Sequence, residues 1–352
     1  MGNGVLVAMS GGVDSAVAAY LLQQAGYHCV GATMRLHDGG GPCAWREAED
    51  AKAVADKLGI AHVVLDFRAE FSRQVMDRFA AAYAQGQTPN PCIDCNRHMK
   101  FAALHRQAQA MGLDGVATGH YARIVQGPDG LWQLRKGPDP QKDQSYVLYT
   151  LTQAQLAHTL MPLGALHKAQ VRAIAQAQGF ANAVKGDSQD ICFVPDGDYA
   201  GFICRRTGVE YPPGDFVDMS GRVLGRHRGI IHYTVGQRRG LGIGGGTPLY
   251  VRQIRPQDNT IVLATADQVY STVAIAGDFS WISGQPPQAP VSVLARARYH
   301  QPEQPAVAEV LPGGQVQVTF HKPQRALTPG QSIVLYQADQ VAGGGVIVQA
   351  RE

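Results

Sequence analysis

Residues 5–15 read Val-Leu-Val-Ala-Met-Ser-Gly-Gly-Val-Asp-Ser, and this stretch decides the fold of the first half of the chain. Its apolar start predicts a buried strand, its glycines predict a turn, and residues 16–24 predict a helix. In this order, backbone N–H groups and the positive end of the helix converge on one point, where an anion can bind. The turn lacks the Gly-Lys-Ser/Thr ending of a Walker A motif, so it predicts a phosphate site of another kind.

The rest of the first half continues this alternation. Strands are predicted at residues 5–9, 29–36, 62–67 and 115–119, and helices at residues 16–24, 47–58, 70–85, 98–111 and 166–178. The pattern predicts an α/β, doubly wound parallel sheet, whose ligands bind beyond the carboxyl ends of the strands. The glycine-rich turn, Met34 and Gly119-His120 are all expected at that edge, with plain core packing as the alternative role for Met34.

The second half of the chain has a different sequence pattern. Residues 121–125 and 131–135 predict a hairpin around a Gly-Pro-Asp-Gly turn. From residue 211 onward, short strands alternate with Gly/Pro turns, which predicts an all-β region over 198–352 with one small module and one barrel. The predicted domains are an α/β domain at 1–197, a small β-rich central domain at 198–272 and a C-terminal β-barrel domain at 273–352.

Composition excludes several classes of protein. The 352 residues are 45% hydrophobic and 17% charged, as in a folded chain of two or three domains. No apolar run approaches the ~20 residues of a membrane-spanning helix, and the first residues lack the pattern of a secretory signal. Six cysteines are too few for a disulfide scaffold and predict a cytoplasmic location, where cysteine motifs are more often reactive or metal-binding. They are Cys29, Cys43, Cys92, Cys95, Cys192 and Cys204.

The excess positive charge is concentrated in one segment. The formal net charge is +3, and residues 1–197 and 273–352 each carry equal numbers of basic and acidic residues. Residues 219–257 contain seven arginines and no carboxylate, which suits a nucleic-acid backbone; the alternative is the solvated face of a small β domain. The arginines are Arg222, Arg226, Arg228, Arg238, Arg239, Arg252 and Arg255.

The glycine-rich turn resembles the pyrophosphate-binding loop of the ATP pyrophosphatases. These enzymes cleave ATP between its α and β phosphates and activate a carbonyl oxygen as its adenylate. The resemblance implies a fold similar to the adenine nucleotide α-hydrolases, with hydroxyls of Ser10 and Ser15 near the phosphates and Asp14 holding a Mg²⁺ ion. The ATP-binding residues it implies are Ala8, Met9, Ser10, Gly11, Gly12, Val13, Asp14, Ser15, Met34 and Gly119.

Two segments that contain cysteines indicate which group of ATP pyrophosphatases this chain resembles. Residues 88–96 read Thr-Pro-Asn-Pro-Cys-Ile-Asp-Cys-Asn and lie between two predicted helices, and residues 187–194 read Asp-Ser-Gln-Asp-Ile-Cys-Phe-Val. With residues 142–146 (Lys-Asp-Gln-Ser-Tyr), residues 233–244 (Tyr-Thr-Val-Gly-Gln-Arg-Arg-Gly-Leu-Gly-Ile-Gly) and Arg298-Tyr299, these segments occur in the order found in one family. The whole chain resembles the tRNA-specific 2-thiouridylases.

The resemblance implies ATP-dependent thiolation of the wobble uridine of tRNA to 2-thiouridine. ATP adenylates the C2 carbonyl oxygen and releases pyrophosphate, and sulfur then displaces AMP. Cys192 matches the persulfide carrier of the family and Cys95 its nucleophile, and the two later pair as a disulfide. A monomeric enzyme is expected, whose Cys192 is charged by an upstream cysteine desulfurase or sulfur-relay protein and must therefore be accessible.

Further positions match the tRNA contacts of the family. Asn90, Pro91 and Cys92 match residues that touch the target base. Lys142, Asp143, Gln144, Arg298 and Tyr299 match residues that contact tRNA, and His120 and Gln331 match positions close to the substrate. Because a base must leave its stack to reach the adenylate, a closed pocket around Cys95 is expected.

Cys92 departs from a common pattern of the family, in which aspartate often fills that position. With Cys95 it forms Cys-x-x-Cys, a spacing that permits a zinc site, a redox pair or part of an iron–sulfur cluster. Cys192 is the obvious third ligand. A 4Fe–4S cluster on Cys92, Cys95 and Cys192, such as other tRNA thiolases use, is therefore the alternative to persulfide chemistry.

Two other functions stay open at this point. A nitrogen-delivering ATP pyrophosphatase, such as a synthetase of the argininosuccinate or GMP type, needs neither two loop cysteines nor an arginine-rich β module. An RNA-binding module that senses adenine nucleotides without catalysis needs neither Asp14 nor Cys192. Release of AMP and pyrophosphate, with and without tRNA, distinguishes the three functions.

Overall fold

The first part of the chain is built around a parallel sheet. The computed structural model describes residues 3–38, 42–183, 185–186, 191–244 and 246–352. The strands of this part are β1 (Gly4–Ala8), β2 (His28–Arg35), β3 (Ala61–Asp66), β4 (Gly115–Ala117), β5 (Ala122–Gln126), β6 (Trp132–Lys136) and β7 (Thr159–Leu160). The parallel sheet has the order β3-β2-β1-β4-β7, while β5 and β6 form the predicted antiparallel hairpin.

The strand order fixes where a ligand binds. The chain moves outward from β1 to β2 and β3 on one side, and to β4 and β7 on the other. Connections therefore leave β1 and β4 in opposite directions, which opens a crevice beyond their carboxyl ends. Val5, Leu6 and Val7 are buried, as the apolar start of the opening stretch predicts. The predicted doubly wound α/β architecture is confirmed.

Helices surround this sheet. They are α1 (Val13–Gln24), α2 (Pro42–Leu58), α3 (Arg68–Phe71), α4 (Asp77–Ala84), α5 (Pro91–Asp94), α6 (Leu104–Ala110), α7 (Gln153–Ala157) and α8 (Lys168–Ala177). A π-helical segment, Ser72–Met76, joins α3 to α4, and a second, Cys95–Ala103, joins α5 to α6. The chain is thus helical without a break from Pro91 to Ala110.

The central part combines a small sheet with one helix. Its strands are β8 (Gly214–Val217), β9 (Val223–His227), β10 (Tyr250–Arg255) and β11 (Thr260–Ala264), in the order β10-β11-β8-β9. Helix α9 (Tyr199–Thr207) precedes them, so the prediction that 198–352 is all-β was wrong at this point. The Asp198 side chain accepts a hydrogen bond from the N–H of Gly201, and Gly208 ends the helix with φ +67°.

The C-terminal part is a closed barrel of six strands. They are β12 (Tyr270–Trp281), β13 (Val291–Arg296), β14 (Gln304–Val310), β15 (Val316–Arg325), β16 (Ser332–Gln337) and β17 (Gln340–Arg351), and pairing of β12 with β17 closes the ring. The hairpin β5–β6 joins this sheet, since Arg135 pairs with Gln340. The carboxylate of Asp339 also binds Arg123 at 2.6 Å and Arg135 at 3.2 Å.

The three parts share their hydrophobic interior. Phe71 and Phe79, from the helices of the first part, belong to one buried cluster with Phe202, Phe216 and other residues of the central part. The barrel also packs directly on the first part, since a Cβ atom at Gly344 would lie 2.7 Å from the ring of Tyr149. None of the described helices has both the length and the apolar character needed to span a membrane.

Candidate active site

The glycine-rich turn forms an open cradle between β1 and α1. Gly11 has φ +68°, and a Cβ atom there would lie 2.5 Å from the carbonyl oxygen of Glu47. The N–H of Ser10 donates to the hydroxyl of Ser15 at 3.2 Å, and that hydroxyl donates to the Gly12 carbonyl at 3.0 Å. Helix α1 begins with no side-chain cap, so its first N–H groups face the crevice and suit an anion.

Asp14 is held by two groups from distant parts of the chain. Lys168, the first residue of α8, donates from Nζ to the two carboxylate oxygens at 2.7 and 2.8 Å. The Tyr121 hydroxyl donates to the same carboxylate at 2.6 Å. Lys168 is only 8% exposed, so a buried cation lies beside the cradle although the loop itself carries no lysine. The sequence analysis missed Lys168, because a contact across 154 positions leaves no local signal.

The described residues do not form a ready Mg²⁺ site. Both oxygens of Asp14 already accept hydrogen bonds from a cation, and within the described ranges no group of three His, Cys, Asp or Glu side chains has the geometry to hold a metal ion. Asp14 as a magnesium ligand remains a prediction.

The ends of β2 and β4 line the same crevice. Met34, near the end of β2, is half-buried and packs against two hydrophobic clusters, so core packing accounts for its side chain here. Gly119 lies against the cradle, because a Cβ atom there would be 2.9 Å from the carbonyl carbon of Asp14. His120 is buried and its Nδ1 lies 2.8 Å from the Thr118 hydroxyl. Burial, reinforced by the Lys100 charge, holds the pKa of His120 well below its usual value, so the ring is neutral.

Cys92 and Cys95 lie on a helix, which corrects the prediction that their segment joins two helices. Asn90 caps the helix by accepting a hydrogen bond from the Cys92 N–H at 3.1 Å, and Pro91 occupies the first turn. An asparagine before a proline is a recognised helix start, so this signal was present in the sequence. Cys92 and Cys192 are partly open to solvent although protein atoms surround much of each thiol, and Cys95 is half-buried. Residues 187–190 of the second cysteine segment lie outside the described residues.

The three thiols share one electrostatic environment. Burial raises the pKa of Cys95 to about 11, and burial together with the charges of Cys95 and Cys92 raises the pKa of Cys192 to about 12. The pKa of Cys92 is also raised by burial. In all three cases the positive charge of Lys100 acts in the opposite direction. The charge of one lysine therefore acts on all three thiols.

The π-helical geometry explains how Lys100 comes to face them. Hydrogen bonds in a π-helix run from residue i to residue i+5, so Lys100 lies about one turn beyond Cys95 on the same face. Regular α-helical geometry would place a residue five positions away on a different face. The π-helical segment thus aligns the cation with the thiol. Such segments occur frequently at functional sites.

The residues described do not fit the cluster alternative in this conformation. Cys92, Cys95 and Cys192 influence one another's charge, yet within the described ranges they are not grouped closely enough to hold a metal ion. The thiols themselves, without a cluster, are therefore the groups available for sulfur chemistry.

Several residues predicted to contact tRNA also connect structural elements. Asp143 is buried and accepts hydrogen bonds from the Ser145 N–H and hydroxyl, and the Gln144 side chain accepts one from the Tyr121 N–H at 3.0 Å. The Tyr299 hydroxyl donates to the Asp143 carbonyl at 3.3 Å. Lys142, in the same segment, is half-exposed. The structure therefore assembles residues 142–144 and Tyr299 into one region.

Arg298 and Gln331 lie at contacts between the three parts of the chain. The Arg298 guanidinium donates to the carbonyl of Val235 in the central part at 2.9 Å and to the hydroxyl of Thr328 in the barrel at 2.5 Å. The Gln331 amide donates to the carbonyl of Thr88 at 2.6 Å. Both side chains join domains in this structure. Their contact with tRNA remains a prediction.

The arginine-rich segment divides into two groups. Arg222 and Arg226 lie beside Asp218 and Asp215 of the central part. Although residues 219–257 contain no carboxylate, the fold thus brings carboxylates next to some of the arginines. Arg252 and Arg255 also lie within 4 Å of a carboxylate, in Glu352 and Asp258. Arg228, Arg238 and Arg239 are exposed, and no ion pair is found for them among the described residues.

Known proteins resemble this chain over nearly its full length. Family models described as tRNA methyl transferase HUP domain, tRNA methyl transferase PRC-barrel domain and aminomethyltransferase beta-barrel domain match residues 3–196, 200–265 and 271–347. The tRNA-specific 2-thiouridylase MnmA of Carboxydothermus hydrogenoformans is 48% identical over 97% of each chain. That of Lachnoclostridium phytofermentans is 46% identical over 98% of this chain and 99% of its own.

A more remote likeness comes from the solved structures. The U34-tRNA thiolase NcsA from Methanococcus maripaludis, with its 4Fe–4S cluster, is 16% identical, with a TM-score of 0.36 over 60% of this chain and 66% of that chain. A match this weak supports no conclusion about this chain.

The position of Lys100 leads to a prediction about thiol reactivity. Lys100→Gln removes the charge that opposes the effect of burial, so we expect the pKa of Cys95 and Cys192 to rise further. At any pH below the pKa, less thiolate is then present, and alkylation by iodoacetamide slows severalfold. Mass spectrometry of the labelled peptides across a pH series measures this rate.

Two controls accompany the alkylation experiment. Lys100→Arg keeps the charge and should retain the wild-type rates, and Cys204 on α9 should react at an unchanged rate in every variant. Wild-type alkylation of Cys95 and Cys192 in Lys100→Gln would contradict the electrostatic role of Lys100.

Proposed function

Because this chain belongs to the family of the tRNA-specific 2-thiouridylases, we propose that it converts the wobble uridine of tRNA to 2-thiouridine with ATP. One observation carries the proposal beyond family membership. Gly119 lies against Asp14 in the cradle, and the charge of Lys100 acts both on His120, the residue after Gly119, and on the three cysteines. These links support a site in which a base activated at the cradle receives sulfur from the cysteines.

The first step activates the uridine. Its C2 carbonyl oxygen attacks the α-phosphorus of ATP, the bond to the β-phosphate breaks, and pyrophosphate leaves. The first N–H groups of α1 and the ammonium of Lys168 stabilise the charge on the departing pyrophosphate, as fixed donors do for other developing anions. No γ-phosphoryl transfer occurs, so the products are AMP and pyrophosphate.

The second step delivers sulfur. The terminal sulfur of a Cys192 persulfide attacks C2, and AMP leaves with the former carbonyl oxygen. The Cys95 thiolate then attacks the Cys192 sulfur, which releases 2-thiouridine and leaves a Cys95–Cys192 disulfide. Exposure of Cys192 supports its charging by a cysteine desulfurase or sulfur-relay protein in the cytoplasm, and a reductant of the thiol class must reopen the disulfide.

The competing hypotheses account for fewer of these features. A nitrogen-delivering synthetase gives no role to thiols that share one lysine. A nucleotide-sensing module gives no role to an exposed Cys192. Nucleoside mass spectrometry of unmodified tRNA, after incubation with the protein, ATP, Mg²⁺ and a cysteine desulfurase with L-cysteine, tests the proposed function directly.

The cysteines generate a first prediction. Cys95→Ser and Cys192→Ser should each abolish 2-thiouridine formation while tRNA binding survives, because a hydroxyl has similar volume but cannot perform sulfur exchange. Cys92→Ala should retain activity, since the two-cysteine scheme does not use this thiol. Nucleoside analysis measures the product. Complete loss of activity in Cys92→Ala, together with iron in the purified wild-type protein, would instead favour the cluster.

Lys168 generates a second prediction. Lys168→Met leaves the Asp14 carboxylate without its cation next to bound phosphates, so we expect a strong fall in AMP and pyrophosphate production and weaker ATP binding. Chromatography of the nucleotides and calorimetry measure the two effects. Lys52→Met, which removes an exposed lysine paired with Asp56, is the matched control. Normal AMP production by a folded Lys168→Met protein would exclude this role.

The arginine-rich segment generates a third prediction. Arg238→Ala combined with Arg239→Ala should weaken tRNA binding and lower the salt slope by roughly one unit for each phosphate that the protein no longer neutralises. The double variant Arg222→Ala with Arg226→Ala removes the same charge from side chains that lie beside carboxylates, and should have a smaller effect. Binding measured over a salt series compares them. An equal salt slope in wild type and the first double variant would show that this loop does not hold RNA.

A further inference from the structure

The segment before the cysteine helix lies between the two small domains. Gly86, two residues after the end of α4, has φ +68°, and a Cβ atom there would lie 2.9 Å from the Ile254 side chain of the central part. On the barrel side, a Cβ atom at Gly330 would lie 2.7 Å from the backbone nitrogen of Thr88. Contacts this close leave no room for a side chain at either position. The segment is therefore fixed on both sides.

Thr88 makes hydrogen bonds to both small domains at once. Its N–H donates to the Pro329 carbonyl at 3.0 Å, and its carbonyl accepts from the Gln331 amide at 2.6 Å, both in the barrel. Its hydroxyl donates to the Thr234 hydroxyl of the central part at 3.3 Å. The described contacts of Thr88 thus connect all three parts of the chain.

The residues after Thr88 transmit its position to the thiols. Pro89 and Pro91 fix their own φ angles and restrict the residues before them, so the segment is stiff. Asn90 caps the helix through the Cys92 N–H, and Cys95 follows one turn later. Since little rotation is left between Thr88 and the helix start, a shift of Thr88 moves the cysteines with it.

We propose that Thr88 is a positioning residue, which sets where Cys95 stands relative to a uridine held by the central domain and the barrel. The inference rests on the proposed function and adds a residue to it. Thr234 lies four residues before Arg238, so the hydroxyls of Thr234 and Thr88 connect the exposed arginines to the cysteine helix. Thr88 touches no reacting atom and acts through the helix.

Misplacement of Cys95 and its helix has a distinctive chemical consequence. The adenylated uridine forms at the cradle as before and the Cys192 persulfide displaces AMP, but Cys95 then attacks the Cys192 sulfur more slowly. Water can attack C2 of the uridine that is still bound to Cys192 through sulfur, and this hydrolysis returns uridine and the Cys192 persulfide. ATP is consumed without product, so the number of AMP molecules released per 2-thiouridine rises above one.

The experiment uses the full-length protein with unmodified tRNA, ATP, Mg²⁺ and a cysteine desulfurase with L-cysteine, which supplies persulfide sulfur. Thr88→Val keeps the shape and removes the hydroxyl, and Thr88→Ser keeps the hydroxyl. We expect Thr88→Val to lower the rate of 2-thiouridine formation about threefold to tenfold, the range that one hydrogen bond is worth. The ratio of AMP to 2-thiouridine should rise by a similar factor, with tRNA affinity unchanged and Thr88→Ser close to wild type.

Matched variants separate positioning from loss of stability. Thr234→Val removes the partner hydroxyl and should raise the same ratio, whereas Thr265→Val removes a surface hydroxyl that bonds Asp267 and should not. A wild-type ratio in both Thr88→Val and Thr234→Val would overturn the proposal. Absence of 2-thiouridine from the wild-type reaction would instead refute the proposed function, so the two failures are distinguishable.

Discussion

The ion pair between Asp14 and Lys168 joins the two ends of the α/β domain. It connects the loop after the first strand to the last helix before the central part, with the Tyr121 hydroxyl as a third member. Removing one partner of such a pair costs about 3 kcal/mol or more when it is buried, less here because the Asp14 side chain remains 31% exposed. The pair therefore holds the cradle in shape and fixes the Lys168 ammonium beside it.

Sulfur chemistry imposes a second constraint, because thiols near a hydrophobic interior are driven toward their neutral form. Cys95 packs against the buried cluster shared by the first two parts of the chain, and burial raises its pKa. Lys100, on the π-helical segment, counteracts this rise in the pKa of Cys95. The raised pKa keeps Cys95 mainly in its neutral form, which reacts more slowly than a thiolate, and Cys192 is the more exposed of the two thiols.

Local patterns in the sequence predicted the elements well and the long-range contacts poorly. The alternation of strands and helices, the hairpin at residues 122–136 and the barrel were recognised, because each follows from periodicity and turn residues within a short window. The early start of the cysteine helix and helix α9 were missed although Asn90, Asp198 and Gly208 signal them. Lys168, Thr88 and the domain contacts of Arg298 depend on chain segments far apart in sequence, so no local pattern could reveal them.

The hairpin β5–β6 has a consequence for biosynthesis. It belongs to the first part of the chain in sequence, yet its sheet partner β17 follows every other described strand of the barrel and is synthesised after them. Until then β6 presents an unpaired strand edge, which is a site of unwanted pairing with other chains. The nascent α/β domain therefore completes its fold only after the barrel has closed, and a chaperone that shields strand edges during translation would favour a high yield of native protein.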